Sequence, residues 1–213
     1  MATFKSTFMA DQKHYRNWHL ATTEHEAATT EFEWTLLRFN EAFQRFCLQV
    51  ASTCGLGSLN YQELIILHVI RMQDRPKPVT VIARLINRDD IPNIQYSLRK
   101  LVTQGYISKI KESQGKIFAY SIKDIGRERL DQYASLRGQL LTDQTATIDK
   151  IDEKLFHAGR LVSLLTGIYD EAGRISATYA VPEIREKEIE QSASEDNSAP
   201  PAKPAKRGRK AVE

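Results

Sequence analysis

The segment from Asp89 to Ile122 constrains the fold more than any other part of the chain. A helical pattern, PNIQYSLRKLVTQ, ends at Gly105, and two short apolar runs, YISKIK and KIFAYSI, follow around the turn residues ESQG. Glycine readily adopts the left-handed backbone that ends a helix, and short apolar runs around turn residues are typical of a β-hairpin. The segment therefore predicts an amphipathic helix followed directly by a two-stranded hairpin.

Two further helices are predicted before this segment. Asn60 can cap YQELIILHVIRMQ, Thr80 can cap the shorter VTVIARLIN, and Pro92 suits the first turn of the third helix. The predicted order is helix, short helix, helix, strand, hairpin and strand, which is the order of a winged helix-turn-helix. The expected fold class is mainly α with a small β-wing, flanked by long helices.

The third helix has two chemically different faces at about 100° per residue. One face is apolar and carries Ile94, Leu98, Leu101 and Val102, with Ser97 at its edge. The opposite face carries Asn93, Tyr96, Arg99, Lys100 and Thr103, with Gln95 on the flank. Because the apolar face needs a core to pack against, the polar face is expected to meet solvent or a ligand.

The polar face carries side chains of the types that read base edges in the major groove of DNA. We expect Arg99 to bind a guanine, and Asn93 or Gln95 to pair with an adenine. Tyr96 suits a thymine methyl group or a phosphate. Phosphate contacts are also expected from Lys100, Thr103, Lys109, Lys111 and Lys116, and from the backbone amides of Gln114 and Gly115 in the wing.

The distribution of charge favours a polyanionic partner. Residues 60–123 hold 11 Lys and Arg against 5 Asp and Glu, and residues 203–213 hold 5 against 1, although the whole chain carries only +3. Clustered positive charge attracts nucleic acid. A polar helix face is nevertheless often only solvated, and winged helices also bind proteins. The alternative is an architectural or protein-interaction protein that binds DNA without a defined operator, through its wing and basic tail.

Long helices are predicted on both sides of the winged segment. The first begins at a capping-box pattern formed by Thr30 and Glu33. Its apolar seam, at steps of three and four, contains Phe32, Leu36, Phe39, Phe43, Phe46 and Val50. The second seam contains Ile151, Leu155, Val162 and Leu165. An aromatic seam of this kind needs a partner surface to cover it.

These patterns divide the chain into five segments. They are a polar arm over 1–28, a helix over 29–58, a winged lobe over 59–123, helices over 124–181 and an acidic-then-basic tail over 182–213. The tail is too polar to fold alone and is expected to be disordered. Its Arg207, Gly208 and Arg209 resemble an AT-hook, which lies in a narrow minor groove. A plain basic tail that adds non-specific affinity is the alternative.

Motifs for other classes of function are missing from the sequence. No apolar run is long enough for a membrane span, and the first residues contain no apolar signal segment. The five histidines have no ligand spacing and no catalytic motif is present, so no metal, cofactor or enzymatic activity is expected. Cys47 and Cys54 are expected to be small buried hydrophobes rather than a disulfide or a redox sensor.

Two stretches resemble the MarR family of bacterial transcriptional regulators. NIQYSLRKLVTQGYI resembles its recognition helix and first wing strand. YSIKDIGRERL resembles its second wing strand and the long helix that follows, with Gly126 and Arg127 matching the family's T-x-x-G-R pattern loosely. The spacing from Asn93 to Tyr106 is most similar to a MarR-like branch of alphaproteobacteria. The resemblance covers about residues 30–170.

The resemblance implies a homodimer on a palindromic operator. With no apolar signal segment and no disulfide framework, the expected location is the cytoplasm, in association with the nucleoid. The two apolar seams would then interlock two chains, and each chain would supply one winged lobe. It also implies a crevice for a small-molecule effector, with Trp34, Phe39, His68 and Tyr133 as candidate liners and no ligand named.

The wing departs from the pattern of the family. Many members carry D-x-R in the wing, and its Arg enters the minor groove. The wing here reads KESQGKIF and contains no Arg, so Lys116, or Gln114 with backbone amides, would have to take that place.

Overall fold

The computed structural model describes residues 18–111 and 118–179. The predictions for the first part of the arm, for Gln114, Gly115 and Lys116 at the wing tip and for Arg207, Gly208 and Arg209 in the tail lie outside these residues. The chain divides after Ala146 into two compact units. Across the described residues, no helix combines the length and the apolar composition that crossing a bilayer requires.

Helix α1 (Glu24–Ala51) begins earlier than predicted. Thr23 is its N-cap, and the side chains of Thr23 and Glu26 form a capping box. The prediction that Thr30 starts the helix is wrong, because Thr30 is buried inside α1 and its hydroxyl donates to the carbonyl of Leu20 at 2.9 Å. A π-helical turn (Ser52–Leu56) follows, and Gly55 within it has the left-handed backbone, at φ +76°, that commonly ends a helix.

Helix α2 (Tyr61–Arg71) is capped as predicted. Asn60 and Glu63 form a capping box, in which each side chain accepts from the backbone amide of the other residue at 2.9 Å. Much of the lobe core comes from this helix, whose buried apolar residues are Leu64, Ile66, Leu67, Val69 and Ile70. A short 3₁₀ turn (Met72–Asp74) ends it.

The short helix and the third helix follow in the predicted order. Helix α3 spans Val79–Leu85; Thr80 lies within it rather than at its cap, and Pro78 holds the N-cap position without a side-chain bond. Helix α4 spans Ile91–Thr103 and is capped by Asp90, with Pro92 in its first turn as expected. Gly105, at φ +80°, then turns the chain into the wing.

The wing is a three-stranded antiparallel sheet with the order β1-β3-β2. Strands β2 (Ile107–Lys111) and β3 (Phe118–Ile122) are the predicted hairpin. Strand β1 (Lys77–Pro78) was not predicted, and it pairs with Tyr120 and Ala119 of β3. The fold is mainly α with a small β-wing, as the sequence indicated.

Lys77 is buried and joins β1 to the end of α2. Its ammonium group donates to the carbonyls of Ile70 at 3.3 Å, of Arg75 at 3.1 Å and of Met72. The last carbonyls of a helix have no partner within that helix, so a cation among them satisfies them. A buried lysine therefore stabilises the turn between α2 and the wing.

Helix α5 (Asp124–Arg137) leaves the wing directly after β3 and continues through a π-helical turn (Gly138–Thr142) and a short segment (Asp143–Thr145). Arg127 at its start and Arg71 at the end of α2 both pair with Asp74. In the second unit, helix α6 (Ile151–Tyr179) has no buried residue.

Candidate nucleic-acid interface

Helix α4 presents the polar face that its sequence predicted. Ile94, Ser97, Leu98 and Leu101 are buried in the lobe core. The exposed residues on the other side are Asn93, Gln95, Tyr96, Arg99 and Thr103, and Tyr96 is 62% exposed. Val102 differs from its prediction, because it lies at the edge of the apolar face and is 36% exposed.

Lys100 does not lie with the other polar residues of α4. Its ammonium group donates to Glu63 Oε2 at 2.7 Å and to the carbonyl of Ser58 at 3.2 Å. The Glu63 side chain is only 1% exposed, so the pair is buried on that side. The predicted phosphate contact of Lys100 does not fit this placement, since the cation is held against the N-terminus of α2.

Asn93 is also held in place. Its side-chain amide donates to the carboxylate of Asp90, while the same Asp90 side chain caps the backbone amide of Asn93. The carbonyl oxygen of the Asn93 side chain remains able to accept. Asn93 is therefore oriented at the first turn of α4, where recognition helices contact base edges.

The described part of the wing adds two cations and one aromatic ring. Lys109 and Lys111 are exposed, and Phe118 is 45% exposed. The ammonium nitrogen of Lys109 lies 4.0 Å from the centre of the Phe118 ring. Sequence reasoning missed Phe118, although the alternation in KIFAYSI places it on the same sheet face as the buried Tyr120.

A groove of about 300 Å³ lies between the wing and the helices α3 and α4. Its lining residues are Pro78, Val79, Thr80, Gln95, Lys109, Phe118 and Tyr120. All of these are neutral or basic. The groove runs beside the polar face of α4, and its walls combine apolar surface with one ammonium group.

The candidate effector liners do not come together. His68 and Tyr133 meet edge to face with their ring centres 4.7 Å apart, whereas Phe39 stacks on Phe43 at 6.0 Å and Trp34 lies 5.8 Å from Trp18. Only the first two therefore share a site.

The two cysteines border the His68–Tyr133 pair and are buried, with 3% of Cys47 and 5% of Cys54 exposed. Burial raises the pKa of the Cys54 thiol, although Arg129 opposes it. Burial also raises the pKa of Tyr133, and a hydrogen bond with Cys47 adds to the effect. A protonated, inaccessible thiol is a poor nucleophile, so this placement favours packing over redox sensing.

His68 gives the lobe a pH-dependent stability. Burial lowers the pKa of His68, and Arg137 lowers it further. As the pH falls below the ordinary histidine value of about 6.5, the unfolded chain binds the proton first, so the free energy of unfolding decreases until the folded pKa is reached. We expect wild type to lose more stability than His68→Gln between pH 7 and pH 5 in urea titrations. Parallel losses in the two proteins would contradict this.

The predicted seams are only partly free to meet a partner. In α1, Val50 is buried in the lobe core and Phe46 packs against that core, while Phe39 and Phe43 are 64% and 37% exposed. Phe32 and Leu36 are half-buried. In α6, Leu155 and Val162 are 58% and 38% exposed, and Ile151 and Leu165 are half-buried. Val50 therefore belongs to the lobe rather than to a dimer seam.

Comparison with known proteins identifies the lobe. Residues 59–126 match the family of winged helix DNA-binding domains. No curated protein matches the chain in sequence. The chain is similar to the transcriptional regulator BldR from Sulfolobus solfataricus, with 17% identity over 67% of this chain and 99% of that chain and a TM-score of 0.52.

Two further solved structures have the same fold. Reduced AbfR bound to DNA matches at 12% identity over 68% of this chain and 98% of that chain, with a TM-score of 0.55. A MarR family transcription regulator matches at 10% identity over 69% and 95%, with a TM-score of 0.53. The predicted resemblance to MarR-type winged-helix regulators is confirmed at the level of the fold.

Proposed function

We propose that this chain, which has the winged-helix fold of MarR-type regulators, is a homodimeric transcription regulator that binds a palindromic DNA operator. One observation carries the proposal. Helix α4 packs its apolar face into the core, and its opposite face exposes Gln95, Tyr96, Arg99 and Thr103 together, beside a wing that carries exposed lysines. A helix of this kind fits the major groove, and the wing reaches the neighbouring phosphates. The DNA in the AbfR complex adds support from a protein of the same fold.

The segments receive roles in this proposal. The lobe over 59–123 binds DNA, with Asn93 joining the exposed residues of α4, and Lys109 and Lys111 contacting phosphates. The segments over 29–58 and 124–181 join two chains. The tail over 182–213 adds affinity that falls with salt. The protein would act in the cytoplasm, on the nucleoid.

Dimerisation is supported by apolar surface that one chain leaves exposed. Phe39 and Phe43 stack in parallel planes, at 7°, on the outside of α1. Helix α6 exposes a wide apolar arc that includes Leu155, Leu164 and Ile168. Apolar surface of this kind marks an interface in soluble proteins. In a two-fold dimer, the two α4 helices would meet half-sites roughly one helical turn apart, or about 34 Å.

Arg99 is the residue in α4 whose loss should change sequence choice. Arg99→Ala is expected to weaken operator binding by about 1–3 kcal/mol and to relax discrimination at one base position, because a bidentate contact to guanine is lost. Lys111→Ala is the matched control, and it should weaken binding to all sequences alike while lowering the salt dependence. Binding of single-base operator variants measures both. Equal, sequence-independent losses would count against base reading by α4.

Selection of bound duplexes from a random-sequence pool tests the whole proposal. We expect the full chain and residues 1–198 to recover the same palindrome at physiological salt, since the lobes carry the specificity. The alternative, an architectural protein that coats DNA through its wing and tail, predicts no motif or an A·T-rich preference that disappears with the tail. Light scattering on the same two proteins measures whether they are dimers.

A further inference from the structure

The Lys109–Phe118 contact lies on the wing face that turns toward α4. Phe118 stands directly opposite Lys111 in the ladder, and Lys109 stands opposite Tyr120. Residues that face each other in an antiparallel pair share one side of the sheet, and diagonal neighbours are within reach of long side chains. Lys109 and Phe118 are such diagonal neighbours, which explains the 4.0 Å approach of the ammonium group to the ring centre.

An exposed lysine side chain is ordinarily mobile, with its ammonium group spread over many positions. The Phe118 ring restricts this freedom, because the electron-rich face of an aromatic ring attracts a cation. The ring itself is 45% exposed, so its face is open to the cation and to the groove. The Phe118 ring therefore holds the Lys109 ammonium group beside the groove, which both residues line.

The chemistry of this groove suits the sugar–phosphate backbone of DNA. Phe118, Val79 and Pro78 offer apolar surface to deoxyribose, while Lys109, Thr80 and Gln95 offer donors to phosphate oxygens. Among the described residues that line the groove, none carries a carboxylate that would repel an anion. If α4 occupies a major groove, the DNA backbone beside that groove would run past the wing, close to Lys109 and Phe118.

We propose that Phe118 is a positioning residue for Lys109, and that the two together grip one phosphate of the DNA backbone in the groove between α4 and the wing. The inference rests on the proposed DNA binding and adds a residue to it. The ring acts through the ammonium group: it keeps the cation where the phosphate arrives, so that less side-chain freedom is lost on binding. The contact is to the backbone and is independent of base sequence.

A double-mutant cycle tests this role on a mixed-sequence duplex, since phosphates are present in any DNA. Phe118→Leu keeps an apolar side chain but removes the ring, and it is expected to weaken binding about two- to fivefold. In a Lys109→Gln background the same change should have no further effect. Phe118→Trp retains an aromatic face and should bind as wild type does. Lys109→Gln alone should lower the salt slope by about 1.

The matched control is the same cycle with Lys111, the residue directly opposite Phe118. Phe118→Leu and Lys111→Gln should act additively, because the ring contacts Lys109 instead. Circular dichroism melting must show all variants folded to the same extent.

Two results would overturn the inference while leaving the proposed function intact. The first is that Phe118→Leu weakens binding equally with and without Lys109, which would make Phe118 an independent apolar contact to sugar. The second is that wild type binds DNA with the expected salt dependence and Phe118→Leu binds it with the same affinity. If wild type shows no salt-dependent binding at all, the proposed function fails as well. Upfield-shifted ε-methylene protons of Lys109, lost in Phe118→Leu, would then still report the ring contact by itself.

Discussion

Replacing Lys100 with methionine is expected to destabilise the folded protein by about 3 kcal/mol, because it leaves the buried carboxylate of Glu63 without its cation. The carboxylate is 1% exposed and accepts from Lys100 at 2.7 Å. The figure is at the low end for breaking a buried pair, since 35% of the Lys100 side chain is exposed to water. Urea unfolding at fixed protein concentration measures the loss.

Glu63 is buried, whereas Lys100 is partly exposed, so removing the charge of Glu63 should cost less than removing that of Lys100. Glu63→Gln is therefore the control variant. Glu63→Gln keeps an acceptor for the amide of Asn60, so the capping box at α2 survives, and the freed Lys100 can reach water. We expect Glu63→Gln to cost about 1 kcal/mol. The double variant with Lys100→Met should recover most of the stability that Lys100→Met loses, because no charge is then buried alone.

The same double variant decides the role of Lys100 on DNA. If Lys100 only holds α4 against α2, the double variant should bind DNA as wild type does, with an unchanged salt slope. A stable double variant whose salt slope falls by about 1 would instead show that Lys100 contacts a phosphate, as its sequence position had suggested.

Gly126→Ala is expected to destabilise the protein by about 2–3 kcal/mol, because the site has no room for a methyl group. A Cβ atom there would lie 2.4 Å from the carbonyl oxygen of Tyr106 and 2.8 Å from Ile122 Cδ1. The Tyr106 carbonyl cannot easily move, since it accepts from the backbone amide of Lys123 at 2.9 Å. The methyl group would push α5 away from the base of the wing.

Gly167→Ala is the matched control for Gly126→Ala. A Cβ at Gly167 meets nothing within 4 Å, so this helical substitution should stabilise α6 by up to about 1 kcal/mol. Thermal melting of the two variants at equal protein concentration measures both changes. A melting temperature for Gly126→Ala equal to that of wild type would mean that the junction of wing and α5 is much softer than these distances imply.

Local sequence patterns predicted the lobe well where one pattern dominated. The period of α4 separated its buried residues from its exposed ones, and Gly105 ended the helix at the expected position. The predicted capping residues were wrong for α1 and α3. Thr30 and Thr80 both have cap-forming side chains, but Thr23 and Pro78 hold the N-cap positions, and an earlier capping box added turns to α1.

The remaining differences come from contacts between residues far apart in the chain. Helical period placed Lys100 on the polar face, but its long side chain bends to Glu63, which lies on another helix. Strand β1 is too short to leave a pattern and forms only because β3 provides a partner. Phe118 resembled an ordinary strand residue until the register placed it beside Lys109. Sequence spacing does not encode such tertiary contacts.

The turn between α2 and β1 connects the base of the wing to α5. Lys77 ties the carbonyls of the turn to β1, and Asp74 in the same turn ties it to Arg127 of α5. Asp74 and Lys77 therefore form a continuous chain of polar contacts from α5 to the sheet. In the proposed dimer, a displacement of α5 is expected to move the base of the wing with it, and so to change the span between the two α4 helices.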